Sequence, residues 1–334
     1  MNEFIFFINK VLISGSIIGS IYALGAIGVT LVFGILRFAN FSHADLMTTG
    51  AYLSFIFAAL LPGLGPVIGF PTGFVVLPLS ILILAAFAVS IDVMFYRPLR
   101  RRNVRPVMLL VASIGVTLML HGVIRLFAGT SPRTFFTVQN KDIFRIDVPF
   151  ETATRDLIIS EPQVLLLITT VICIVSLHQF LTRTRLGKAM RAMSDNSELA
   201  LVSGINTDKV VQATWVIAGA LAAIAGTLLA LDVVLKPDLS FNLLLPIFAA
   251  AIVGGIGRPY GAIAGGLLVG FSETLAVFNW SVLLRPFAEY FPEWIEIPSR
   301  LNFVPTEYKI IVPFVILIAV LIWRPTGIFR GQVI

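Results

Sequence analysis

Four side chains that can donate, accept or carry a proton lie close together in an otherwise apolar part of the chain. They are Asn40, Ser42, His43 and Asp45, in the stretch GILRFANFSHAD at positions 34–45. Positions 12–36 before them and 46–62 after them contain no charged residue. Histidine and aspartate can exchange protons, and asparagine and serine often cap helices. The stretch therefore predicts either a hydrogen-bonded group turned away from lipid or the polar end of a helix.

Glu273 is the deepest acid in the apolar part of the sequence, and it lies beside Ser272 and Thr274. It could be a structural hydrogen-bonding node or part of a solute path. His121 and His178 also lie in apolar runs. We interpret both as core or interfacial histidines whose polar atoms are satisfied.

A second polar region, positions 183–209, contains the start and end signals of a short helix. Asp195 followed by Glu198 has the form of a capping box, with Asp195 as N-cap and Glu198 as the third helical residue. Gly204 predicts a left-handed stop. Between them we expect a helix whose apolar side chains are Leu199, Leu201 and Val202. This apolar face must be buried against the protein itself, lipid headgroups or a groove on a partner.

The composition indicates a membrane protein. Hydrophobic residues make up 57% of the 334 residues and charged residues 13%, whereas soluble domains have about 45–50% and about 25%. The mean hydropathy is +0.96. Helices satisfy their own backbone over runs of about 20 apolar residues. We therefore expect an all-α polytopic membrane protein with a single transmembrane domain, residues 1–334.

Nine apolar runs are candidate spans, and eight is the alternative count. The seventh and eighth runs are separated only by Gly257-Arg258-Pro259-Tyr260, so one of them could be short or re-entrant. The first is long enough to tilt or break. The runs are 11–36, 46–62, 74–96, 106–128, 162–182, 210–231, 242–257, 259–279 and 308–323.

Basic residues predict the orientation. Five arginines lie within 97–105 and five basic residues within 183–209, and the positive-inside rule places both connections in the cytoplasm. Nine spans then give an outside N-terminus and a cytoplasmic C-terminus. Two segments are predicted to be extracytoplasmic. Residues 129–161 alternate in polarity like a hairpin, and residues 280–307 have the composition of an interfacial helix. Because basic residues at span ends are ordinary orientation signals, no nucleic acid partner is expected.

Several chemistries are not expected in this chain. Cys173 is the single cysteine, which excludes an internal disulfide and a cysteine-built metal cluster. Gly187-Lys188-Ala189 lacks the upstream glycine and the hydroxyl of a phosphate-binding loop. We therefore predict no enzyme activity, no catalytic residue, no metal and no cofactor in the chain itself.

Four separated motifs resemble the permease subunits of branched-chain amino acid ABC importers. The opening stretch resembles their G-x-x-x-F-A-H/N-F-x-H-G-D/E, although Ala44 stands where glycine is usual and Ser42 replaces a commoner alanine. Arg183 begins R-x-R-L-G-K-A-M-R-A, followed by Glu198-x-Ala200-x-x-x-Gly204 in the spacing of their ATPase-docking loop. The other two motifs are IVGGIG (252–257) followed by Gly261-Ala262, and RPTGIF (324–329).

The resemblance implies a role for particular residues. It assigns ATPase coupling within segment 183–209 to Arg185, Gly187, Arg191, Asp195, Glu198, Ala200 and Gly204. For the polar turn we predict that it lines the inner mouth of a translocation path, with Asn40 and Ser42 capping the second helix and His43 and Asp45 in gating hydrogen bonds. Glu273 is the further candidate for the path. The alternative is that the turn only caps a helix end at the headgroups.

The resemblance also implies partners. Two cytoplasmic subunits would bind ATP and magnesium, a second related permease would complete the pore, and a periplasmic binding protein would deliver solute at the bacterial inner membrane. The expected solute is a branched-chain or other neutral amino acid, with urea or short amides as alternatives. The rival functions are a self-sufficient ion-coupled transporter, working through Glu273 or Asp45, and a membrane scaffold or sensor. The 280–307 segment looks longer than is usual in the family.

Overall fold

The computed structural model describes residues 2–137, 139–147, 155–286, 298–329 and 331. These residues form a helical bundle. Its helices are α1 (Asn2–Leu36), α2 (His43–Leu60), α3 (Leu77–Arg101), α4 (Pro106–Ala128), α5 (Glu161–Arg183), α6 (Arg185–Asp195), α7 (Ser197–Val202), α8 (Thr207–Asp232), α9 (Phe241–Gly254), α10 (Pro259–Val277) and α11 (Ile311–Trp323). Shorter helical turns lie at Leu64–Ile68, Thr72–Val75, Ser281–Leu284 and Thr306–Tyr308.

Each of the nine predicted spans overlaps one of these helices. Among the described residues, six helices are long and apolar enough to cross a membrane, namely α1, α3, α4, α5, α8 and α10. Helix α2 opens with a polar turn, and α9 and α11 are shorter apolar helices. Helix α9 ends at Gly254 because Gly255 and Gly257 adopt φ values of 109° and 83°, which other residues rarely adopt.

The described chain is mostly helical, as predicted, and includes one short pair of strands. Strand β1 (Ile143–Ile146) pairs antiparallel with β2 (Leu157–Ser160). The pair lies inside the segment that was predicted to resemble a hairpin. In the other predicted extracytoplasmic segment, the structure describes the helical turn Ser281–Leu284, and residues 287–297 lie outside the described part.

Small residues allow the central helices to approach closely. A Cβ on Gly270 of α10 would lie 2.4 Å from the backbone nitrogen of Gly19 in α1. A Cβ on Gly226 of α8 would lie 1.8 Å from the carbonyl oxygen of Met47 in α2. Between helices in lipid, such close van der Waals packing takes the place of a hydrophobic driving force. These contacts pack α10 against α1 and α8 against α2.

Gly226→Ala should destabilise the bundle, because the new methyl group would overlap the Met47 carbonyl and push α8 away from α2. Overpacking of this kind costs about 1–3 kcal/mol. Gly115→Ala in α4 is the matched control, since an added Cβ there meets nothing within 4 Å. Thermal unfolding of the purified protein should give a lower melting temperature for Gly226→Ala only. Equal melting temperatures would contradict the packing argument.

Candidate functional site

The polar turn begins where α1 ends. Arg37 adopts a left-handed conformation (φ 57°), and its backbone N–H donates to the carbonyl of Phe33. The Arg37 guanidinium then donates to the backbone oxygen of Ser194, near the end of α6, over 2.7 Å. The turn therefore lies against the 183–209 segment as well as between two helices of the bundle.

Asn40 organises the inside of the turn. Its Oδ1 accepts hydrogen bonds from the Ser42 backbone N–H at 3.2 Å, the Ser42 hydroxyl at 2.7 Å and the Tyr96 hydroxyl at 3.1 Å. Asn40, Ser42 and Tyr96 are fully buried. The Tyr96 ring stacks on Trp215 of α8, with centroids 5.2 Å apart. The turn is thus tied to both α3 and α8.

The predicted capping of α2 by these residues is wrong in its details. Ser42 does occupy the N-cap position, but its side chain makes no capping hydrogen bond. The physical reason is that Asn40 Oδ1 accepts hydrogen bonds from both the hydroxyl and the backbone N–H of Ser42. An asparagine that binds the backbone two residues ahead stabilises a turn in place of a helix start.

A second group of side chains, here called the Asp45 cluster, consists of Asp45, His121, Arg125 and Asp238. Asp45 is fully buried, whereas the Arg125 and Asp238 side chains are 49% and 47% exposed. His121 Nδ1 lies 3.1 Å from Asp45 Oδ1, and His121 Nε2 lies 3.0 Å from Asp238 Oδ1. Arg125 donates to Asp238 Oδ1 over 2.7 Å, and this hydrogen bond lowers the pKa of the Asp238 carboxyl below its usual value. The cluster connects α2, α4 and the 233–240 connection, and Asp45 Oδ2 has no partner among the described residues.

Sequence reasoning did not find this cluster as a unit. We interpreted His121 as a histidine whose ring nitrogens have partners, and both do. One partner is Asp45, a predicted gate residue. The available signal was the i, i+4 spacing of His121 and Arg125 on one helix face. Asp45 and Asp238 lie 76 and 117 positions from His121 in the chain, and no local pattern connects them.

His43 occupies a tight apolar site. Its side chain is fully buried, and neither ring nitrogen has a hydrogen-bond partner among the described residues. The ring lies against Gly28 of α1, where an added Cβ would be 2.3 Å from His43 Cε1. The absence of a side chain at position 28 is what gives the imidazole its space.

Glu273 belongs to a different group. The Tyr22 hydroxyl donates to its Oε2 over 2.7 Å, and Lys309 Nζ lies 3.2 Å from its Oε1. Glu273 is only 3% exposed. The carboxylate connects α1, α10 and the turn that precedes α11. The structure thus divides the predicted path residues between the polar turn, the Asp45 cluster and this third group.

The 183–209 segment contains two helices instead of the predicted one. Thr184 caps α6 by accepting from the Gly187 N–H at 2.9 Å, and Asn196 caps α7 by accepting from the Leu199 N–H at 3.0 Å. The prediction that Asp195 is the N-cap is therefore wrong, because Asp195 is the last residue of α6. Extended Asn196 separates the helices, and Glu198 stands in the first turn of α7.

The faces of these two helices differ in exposure. Gly187, Met190 and Met193 of α6 and Ala200 of α7 are buried against the bundle. Arg185, Arg191, Asp195, Glu198 and Gly204 are exposed, and Gly204 has φ 81°, as predicted for a helix stop. The apolar side chains of α7 face outward, with Leu199 67%, Leu201 61% and Val202 88% exposed.

An apolar bundle with buried polar groups defines a multi-pass membrane protein. The family model of the branched-chain amino acid transport system permease component matches residues 11–321. The chain belongs to this family, which confirms the resemblance predicted from the motifs.

Curated relatives agree over nearly the full length. The chain is 33% identical over 322 residues to the high-affinity branched-chain amino acid transport system permease protein BraD of Pseudomonas aeruginosa, covering 95% of this chain and 94% of BraD. It is 32% identical over 330 residues to the corresponding LivH of Escherichia coli K12, covering 98% and 96%. A probable LivH of Methanocaldococcus jannaschii is 30% identical over 272 residues, covering 81% and 82%. No solved structure matches the chain significantly.

Asn40→Ala should destabilise the protein more than Tyr96→Phe. The first change removes the acceptor of three hydrogen bonds, and the second removes one of those donors. A buried polar group left without its partner costs about 1–3 kcal/mol. Both variants can be compared with the wild type by thermal unfolding in the same detergent. A melting temperature for Tyr96→Phe as low as that for Asn40→Ala would refute the central role of Asn40.

Proposed function

We propose that this chain is the membrane-spanning permease subunit of an ATP-binding-cassette importer in the bacterial inner membrane. Its solutes are branched-chain or other neutral amino acids. Family membership and the printed functions of the relatives support this proposal. The chain itself has no phosphate-binding loop, so the energy comes from two cytoplasmic subunits that bind ATP and magnesium.

The single observation that carries the proposal is the outward face of α7. Ala200 and the buried face of α6 hold the segment on the bundle, while Leu199, Leu201 and Val202 are exposed on a capped helix. Because these side chains are exposed, the apolar face of α7 is not buried against the chain's own bundle. A groove on each ATP-binding subunit would cover it, with Glu198 and the exposed basic residues of α6 at its rim.

The coupling residues have two roles in this proposal. Arg185, Arg191, Asp195 and Glu198 contact the ATP-binding subunit, because they are exposed around α7. Gly187 and Ala200 hold the segment on the bundle, and Gly204 ends α7. A Cβ on Gly187 would lie 2.2 Å from the carbonyl oxygen of Phe180 in α5, so its position depends on close backbone packing. Docking would therefore move α6 and α7 together.

Movement of the segment reaches the polar turn through a direct contact. The Arg37 guanidinium holds the Ser194 carbonyl at 2.7 Å, and Asn40 and Ser42 follow within the same turn. His43 and Asp45 begin α2, and Asp45 contacts His121 of α4. We assign gating to this series of contacts. In the closed state, the Asp45 cluster holds α2, α4 and the 233–240 connection together.

The proposed assembly follows the orientation predicted from the basic connections. The N-terminus and the segments 129–161 and 280–307 face the periplasm, where a solute-binding protein docks. The C-terminus and the 183–209 segment face the cytoplasm. A second, related permease completes the pore within the lipid membrane.

Glu198→Arg and Val202→Asp should each abolish ATP-driven uptake and co-purification of the ATP-binding subunit. The first reverses a charge on the docking face, and the second places a negative charge among its apolar side chains. The permease should still reach the membrane, since both side chains are exposed. Arg102→Gln is the control, because it removes an exposed charge outside segment 183–209.

Full uptake by both variants would refute the docking role of α7. Uptake of neutral amino acids by vesicles that lack any ATPase, driven only by an ion gradient, would favour the ion-coupled transporter.

Arg37→Gln should separate docking of the ATP-binding subunit from the transfer of movement between the 183–209 segment and the polar turn. The shorter neutral side chain loses the hydrogen bond to Ser194, while the exposed face of α7 is unchanged. We expect normal co-purification of the ATP-binding subunit and at least fivefold slower uptake. ATPase activity and uptake measured on the same proteoliposomes test this. Normal uptake would show that the turn is not moved through Arg37.

A further inference from the structure

A cavity of about 480 Å³ opens between the start of α1, the end of α10 and the turn before α11. Three charged residues line it, Lys10, Glu273 and Lys309. Phe6, Ile18 and Val277 provide apolar wall. This volume lies within the ordinary range of small-molecule sites, about 300–1,000 Å³.

Glu273 places a buried carboxyl group in the wall of the cavity. Its side chain is 4% exposed, and it accepts from Tyr22 at 2.7 Å and pairs with Lys309 at 3.2 Å. An ionised carboxylate has about four lone-pair positions, so two partners leave capacity for another donor. A buried carboxylate oriented by two residues can therefore accept a ligand ammonium without rearranging.

Positive charge exceeds negative charge in the cavity. Lys309 is 53% exposed beyond its pairing with Glu273. Lys10 is exposed and has no side-chain hydrogen bond or ion pair among the described residues. Two ammonium groups and one carboxylate thus line the same space. A ligand that carries both a carboxylate and an ammonium group would satisfy all three.

We propose that this cavity is a binding site for an aliphatic α-amino acid in its zwitterionic form. The ligand ammonium pairs with Glu273, the ligand carboxylate lies between Lys10 and Lys309, and the aliphatic side chain packs on Phe6, Ile18 and Val277. This inference rests on the proposed function and adds a place where the permease itself holds the solute.

A second cavity adjoins the first. It has a volume of about 370 Å³ and shares Ser14, Ile18 and Lys309 with the first. It extends to Leu239 and Leu243, and Leu239 directly follows Asp238 of the Asp45 cluster. The adjoining space therefore extends from the proposed solute site to residues of the 233–240 connection.

Binding of radiolabelled L-leucine to the full chain in lipid nanodiscs, without ATP-binding subunits or binding protein, tests the site. Two competitors separate the charges: 4-methylvalerate lacks the ammonium and isoamylamine lacks the carboxylate. Unlabelled leucine should compete at least tenfold better than either. Lys10→Gln should weaken leucine binding at least fivefold. Lys236→Gln should leave it unchanged, because Lys236 is an exposed lysine that does not line the cavity.

Glu273→Gln should raise the Kd for leucine at least tenfold and remove the preference for leucine over 4-methylvalerate. Glu273 also links three elements, so thermal unfolding is measured for this variant in parallel. Lys10→Gln keeps the test decisive even if Glu273→Gln does not fold, since the Lys10 side chain holds no partner in place.

Three results would overturn the inference: no leucine binding, leucine binding that Lys10→Gln does not change, or equal competition by 4-methylvalerate, which would indicate a general anion site. The proposed function has its own separate test. If the assembled system imports leucine with ATP while the permease alone does not bind it, the cavity inference fails and the proposed function stands. If the assembled system imports no neutral amino acid, the proposed function fails.

Discussion

The structure depends on keeping a group of polar side chains out of contact with lipid. Asn40, Ser42, His43 and Asp45 are all fully buried in a chain that is 57% hydrophobic. In the hydrocarbon region polar groups must find partners inside the protein, because water cannot supply them. Tyr96 of α3 hydrogen-bonds to Asn40 and Ser42, and His121 of α4 contacts Asp45. The His43 ring has no such partner among the described residues. The arrangement of these helices around α2 is therefore constrained by hydrogen bonding as well as by shape.

The same constraint explains how a local movement could act at a distance. A buried hydrogen bond that opens without a replacement leaves a desolvated donor or acceptor, which costs about 1–3 kcal/mol. The polar turn has several such bonds and lies against the 183–209 segment through Arg37. In the proposed importer, a displacement of α6 thus favours a change between discrete arrangements of the turn over a gradual deformation.

The long apolar helices could be predicted from the sequence because membrane-spanning segments are long, nearly uncharged runs. The exposed helix α7 was also predicted, but its cap was placed one residue too early. Asp195 and Asn196 are both good capping residues, and only the continuation of α6 to Asp195 decides between them. The side-chain clusters could not be predicted, since Tyr22, Glu273 and Lys309 come together from positions that no local periodicity connects.

The contact between His43 and Gly28 has a consequence for how this protein can change over time. The imidazole fills the volume that a side chain at position 28 would need, with an added Cβ only 2.3 Å from the ring. The side chains at positions 28 and 43 therefore compete for the same packing volume. An alanine or serine at 28 is compatible only with a smaller residue at 43, so substitutions at these two sites should occur as pairs and seldom singly.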